Sequence, residues 1–208
     1  MNRNIQASAF YTFDPTKLDI EAVIKPIEMS FKGEHEELIA LVSNIKSFPK
    51  LQKSKAPKMD KATILFISVI DWQSDGGAPI PLDKNNIKER IGRFPTSDGN
   101  AIKYLLTYTS QEDHESRLHE LLYKLMNGLS EEDFGLKGYD KGIAGLEMMG
   151  WLNYAEVGEL KLIIQKGKWI VSADEPFDGG IQEIFKNLVK LLKSAERREC
   201  GILMRKHS

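Results

Sequence analysis

Apolar positions recur along this chain mostly at helical spacing. Leu18, Ile20, Val23, Ile24 and Ile27 cluster near the start, where Pro26 limits a helix to the stretch before it or kinks it. Leu38, Leu41, Val42 and Ile45 then follow the i, i+3, i+4, i+7 pattern. Glu34, Glu36 and Glu37 stand in its first turn, where the helix dipole favours anions. Residues 62–72, ATILFISVIDW, are almost wholly apolar; β-branching favours a buried strand, while Ile64, Ile67 and Ile70 equally suit a buried helix. After the loop QSDGGAPIP, Asp83 caps a predicted helix bearing Ile87 and Ile91 and stopped by Gly92. A second helix, capped by Thr96 or Ser97, carries Ala101, Ile102 and Leu105.

Leu118, Leu121, Leu122 and Leu125 predict a helix ending at Asn127-Gly128. Ser130 with Asp133 resembles an N-terminal cap, opening a short helix that carries Phe134. Asp140 caps a further predicted helix with Ile143, Leu146, Met149 and Leu152. The pattern then changes. ELKLIIQ and KWIVS flank Lys166-Gly167, which predicts a β-hairpin with Leu162, Ile164, Trp169 and Val171 on one face. A long helix follows, with a stripe of Ile181, Ile184, Phe185, Leu188, Leu191, Leu192 and Ala195 wide enough for a core or a partner. Arg197, Arg198, Arg205 and Lys206 lie toward its end.

The order helix, short helix, helix, hairpin over residues 116–172 resembles the winged-helix family. GLSEEDF and IAGLEMMGWLNY look like its second and third helices, Leu146 to Leu152 like the phrase closing the third, and ELKLIIQKGKWIVS like the wing. Residues 62–109 read as a degraded copy without a hairpin. The expected fold is therefore α+β and mainly α-helical: winged-helix-like units, a β-hairpin wing and a long C-terminal helix. It divides into a helical extension with a lysine-rich linker (1–60), a first unit (61–111) and a second unit with the C-terminal helix (112–208). The resemblance implies either a DNA reader or a protein-docking module. Tandem units of this kind are similar to accessory subunits of SMC-type or ABC-type ATPase DNA machines, including phage-defence assemblies.

Charge separates the two uses. The whole chain carries a net charge of −1, so any nucleic-acid contact must come from a local patch. Residues 129–175 hold nine acids against five lysines, a balance of −4, which suits a polyanion poorly. Lys46, Lys50, Lys53, Lys55, Lys58 and Lys61 face one acid, Asp60, in a stretch that Pro49 and Pro57 keep from being one helix. Lys50, Lys53, Lys55, Lys58 and Lys61, together with Lys84, Lys88, Arg90, Arg93 and Lys103, are the candidate nucleic-acid contacts, salt-sensitive by nature. Trp151, Ile181, Phe185, Leu188 and Leu192 are the candidate partner-binding residues.

Signals for catalysis are weak. Asp71 with Glu159 and Lys161 loosely echoes the acids and lysine of metal-dependent nucleases. His114 and His119 are five apart and do not share a helix face. Neither Asp-Gly-Gly segment, 75–77 or 178–180, continues as a phosphate loop. Cys200 rules out an intramolecular disulfide and reads as an inert helical cysteine near Arg197 and Arg198. No run approaches the roughly 18 apolar residues of a membrane span, and MNRNIQASAF has no signal core, so a cytoplasmic protein is expected. The expectation is a non-catalytic adaptor without cofactor or metal, bound to a larger protein subunit in a nucleic-acid-associated complex. A stand-alone DNA-binding regulator is the alternative; a Mg-dependent nuclease or a toxin-immunity protein stands further off.

Overall fold

The computed structural model describes residues 9–45, 48–82, 96, 98–110, 117–167 and 169–207. The fold is α+β. Its centre is a three-stranded antiparallel sheet made by β1 (Phe10–Thr16), β5 (Gly201–His207) and β3 (Glu147–Leu152), with β5 in the middle. Phe10 pairs with His207 and Thr16 with Gly201, so the first and last strands lie side by side.

Each sheet face carries its own core. On one face Tyr11, Phe13, Ile202 and Met204 meet α4 (Ala101–Tyr108), α5 (Arg117–Asn127), α7 (Tyr154–Lys166) and α8 (Gly180–Arg197). On the other, Met148, Trp151 and Leu203 meet α1 (Ile20–Phe31), α2 (Glu36–Val42) and α3 (Lys61–Val69). The remaining elements are β2 (Thr109–Ser110), which pairs with β4 (Ile170–Val171), and the short α6 (Glu131–Phe134). Both cores draw on residues from either side of the boundaries expected after 60 and 111.

The apolar run 62–72 is helical as far as Val69, because Asp60 accepts hydrogen bonds from the Thr63 amide (2.7 Å) and hydroxyl (2.9 Å) and so starts α3; Ile70 and Trp72 beyond it are extended and form isolated bridges. α1 runs through Pro26. α5, α6 with its Ser130 cap, and α8 lie where the apolar spacing places them. The helix expected around Ile87 and Ile91 falls outside the described residues.

Three local expectations are corrected. The stretch expected as a hairpin is mostly α7. Asn153 and Glu156 form a reciprocal capping box that opens the helix, with Val157, Leu160 and Ile164 turned inward. Gly167, at φ 66°, supplies a left-handed helix end rather than a hairpin turn. The helix expected over Ile143–Leu152 is a 3-10 turn and then β3. Ala144 and Gly145 have φ of 58° and 76°, which breaks a helix, and the following residues find ladder partners on β5. Arg205 and Lys206 belong to β5 and not to the end of the last helix. That helix stops at Arg197, and Glu199 at φ 50° turns the chain back into the sheet.

Candidate functional site

From Phe48 the lysine-rich stretch runs irregularly to Asp60, but it is not a slack tether. Buried His35 holds it. His35 Nδ1 lies 2.8 Å from the Ser30 hydroxyl, and Nε2 lies 2.9 Å from the Gln52 carbonyl oxygen, which accepts a hydrogen bond from it. Gly33, at φ +92°, sits against the same loop. A Cβ there would stand 2.9 Å from Ser54 Cα, so only glycine permits the approach. Lys55 N donates to the Gln52 carbonyl (3.1 Å), closing a turn around Ser54, whose φ is 61°.

This pinned loop carries the positive charge. Lys50, Lys55 and Lys58 line one hollow of about 340 Å³, together with Leu51, Gln52, Ala56 and Pro57. Lys53 projects from the same loop, and all four lysines are exposed. None of the four is in an ion pair among the described residues, whereas Lys17, Lys61, Lys124, Lys137, Lys161 and Lys206 each have a carboxylate partner. Cations converging on a hollow without a counter-charge form a surface that attracts anions, and the attraction weakens as salt screens it.

Lys61 does not belong to that surface. Its ammonium lies 2.6 Å from Glu28 and 5.6 and 5.5 Å from the Phe31 and Tyr139 rings, so it is committed to packing α1 against α3 and the 139 loop. Glu28 also accepts from the Tyr139 hydroxyl at 2.7 Å. Burial of Glu28 acts to raise its pKa, but these two donors outweigh it and hold the carboxyl below its usual range. Lys103 is exposed on α4, across the sheet from the loop. Lys84, Lys88, Arg90 and Arg93 lie outside the described residues.

The residues expected to bind a partner are placed differently. Trp151, Ile181, Phe185, Leu188 and Leu192 all lie in the two cores, none more than 5% exposed. The α8 stripe is used up against the sheet, α4 and α7, because it is the only wide apolar face the helix has. The nuclease-like set is dispersed as well. Asp71 binds Arg198 at 2.8 Å and Lys17 at 2.6 Å, Glu159 binds Arg117 at 2.8 Å, and Lys161 is paired with Glu196. Among the described residues no three His, Cys, Asp or Glu side chains are grouped to hold a metal ion. No helix of the described residues is long and apolar enough to cross a membrane.

Cys200 is buried just past the end of α8. Burial pushes its thiol up to about 11, and the nearby Arg198 guanidinium offsets only part of this. The native protein is therefore expected to leave Ellman's reagent unreacted at pH 8 and to release one thiol equivalent once denaturant is added. Rapid reaction without denaturant would show that the α8–β5 junction opens readily.

No family model matches the chain, and neither the curated proteins nor the solved structures provide a match.

The basic character of the loop is plain in the spacing of its lysines. What could not be read there is its anchoring, since His35 lies 17 positions before Gln52, and Gly33 about 20 before Ser54, across residues of ordinary composition.

Proposed function

We propose that this protein is a non-catalytic, cytoplasmic adaptor of a nucleic-acid-associated complex, touching the sugar-phosphate backbone through the 50–58 loop. The observation that carries the reading is the convergence of Lys50, Lys55 and Lys58 on one hollow in a loop held by a buried histidine, with no acid partner for any of them among the described residues. A preformed cationic rim costs little ordering on binding and offers point charges to phosphate oxygens. It offers no planar, bidentate donors for base edges, which favours binding without sequence preference. That weighs against a stand-alone regulator, as does the strand geometry of residues 147–152, where the resemblance places a recognition helix.

Of the partners implied by the resemblance, the larger protein subunit stays in this proposal. Its identity as an SMC- or ABC-type ATPase rests on an element order that residues 140–166 do not follow, and is not part of it.

The test is the salt dependence of binding to a labelled random-sequence DNA duplex, read by fluorescence anisotropy. Replacing Lys50, Lys55 and Lys58 together by alanine is expected to reduce the slope of log K against log salt by about 3, near 0.9 for each phosphate that is no longer neutralised. An unchanged slope and affinity in the triple variant would remove the loop from the interface.

A further inference from the structure

Helix α8 has a second face. Opposite its core stripe, Lys186, Lys190 and Lys193 recur at i, i+4 and i+7, all exposed. They edge an open groove of about 400 Å³ between α7 and α8. The floor is apolar, made by Ile164, Trp169, Phe185 and Val189. Trp169 stands 4.5 Å from Phe185, tilted by 51°, and its indole N–H donates to the Ile164 carbonyl at 3.2 Å. The one polar atom among these side chains is thus satisfied, and the floor has only hydrocarbon and ring surface to offer.

The rim is as unusual as the floor. Three neighbouring cations, by contrast, are engaged: Lys161 with Glu196, Arg197 with the Ser194 hydroxyl, Arg198 with Asp71. Lys186, Lys190 and Lys193 have no ion-pair partner among the described residues, and like charges at i, i+4 disfavour a helix by a few tenths of a kcal/mol. Apolar floor and cationic rim together match an occupant with the opposite arrangement.

We infer that this groove docks an acidic amphipathic segment of a partner protein. Its carboxylates meet Lys186, Lys190 and Lys193, and its large apolar side chains sit on Trp169 and Val189, the helix-in-groove mode of recognition. Nucleic acid fits less well, because stacking of successive bases needs a row of accessible rings, and the groove offers Trp169 with Phe185 buried beneath it. The inference rests on the adaptor reading only in expecting a protein partner; the groove shares no residue with the 50–58 loop.

Short random peptides displayed on phage and selected on the full chain provide the probe. Selection is expected to enrich sequences of net negative charge with large apolar residues at i, i+3 or i+4. A synthetic copy of an enriched peptide should bind at least tenfold more weakly to the variant Lys186→Glu, Lys190→Glu, Lys193→Glu. The same peptide with its acids changed to lysine should recover binding to that variant, a rescue that a folding defect cannot mimic. Lys50→Ala, Lys55→Ala, Lys58→Ala should leave peptide binding unchanged, so loss of the DNA reading and loss of this one are separable. The inference is overturned if no acidic peptides emerge, or if their binding survives the charge reversal. It is equally overturned if the reversal instead abolishes binding of duplex DNA or of vesicles containing anionic phosphatidylglycerol while peptide binding persists.

Discussion

Gly150→Ala is expected to destabilise the protein by about 3 kcal/mol or more, the upper end of overpacking costs. For a chain of this length that lowers Tm by about 6–12 °C, measurable by calorimetry or circular dichroism. The reason is backbone against backbone. A Cβ on Gly150 would stand 1.9 Å from the Lys124 carbonyl oxygen and 2.8 Å from both Gly128 N and Leu125 O. Neither side can rotate away, since Lys124 O is held by Gly128 N (2.8 Å) and Leu129 N donates to Met149 O (2.9 Å). Relief requires α5 to lift off β3, which loosens the packing of Leu118, Leu121, Leu122 and Leu125 in the first core. Gly158, eight residues on, gives the opposite sign. It lies inside α7 with its nearest neighbour, a Glu196 oxygen, 4.0 Å away. Alanine there removes a helix-interior glycine without a clash and should stabilise by about 0.5–1 kcal/mol. Equal effects at the two positions would mean that helix and strand are not in the close register described.

The contrast between these glycines also shows what can be read from the chain alone. α5 and α8 are legible because an amphipathic helix carries its whole pattern within a few turns: Leu118 to Leu125, or Ile181 to Ala195. The sheet is not, because each strand is defined by a partner far away. Phe10–Thr16 is buried along almost its full length, polar Thr12, Asp14 and Thr16 included, so no alternation marks it as a strand. Arg205 and Lys206 read as the cationic end of the last helix until Gly201–His207 is placed between β1 and β3. Glu159–Gln165 is ambiguous for a different reason: Leu160, Leu162, Ile163 and Ile164 satisfy either period. The capping box at Asn153 and Glu156, a local signal, decides for the helix. At the candidate site, Lys61 looks like its neighbours in sequence and is separated from them only by Glu28 and Tyr139, which belong to other segments.

Loss of one partner from the Asp14–Arg205 pair is the other large effect expected. Both residues face the second core, where Asp14 is 6% exposed and Arg205 Nε donates to its carboxylate. Thr12, not Asp14, lies directly across from Arg205, so the pair runs diagonally between β1 and β5 and ties the two strands together. The guanidinium carbon also lies 4.7 Å from the centre of the Phe66 ring, which joins the pair to α3. Arg205→Met keeps the apolar stem over Phe66 but leaves a buried carboxylate without its cation. The expected cost is about 3–5 kcal/mol, most of it the penalty of the unpaired charge rather than the worth of the pair. In thermal unfolding this is a Tm lowered by about 6–20 °C. Adding Asp14→Leu to Arg205→Met should then restore most of the stability, because replacing a buried pair by apolar residues of similar size is often close to neutral. A double variant no more stable than the single would show that the aspartate is solvated in the native state, and that the diagonal pair between the two strands contributes little.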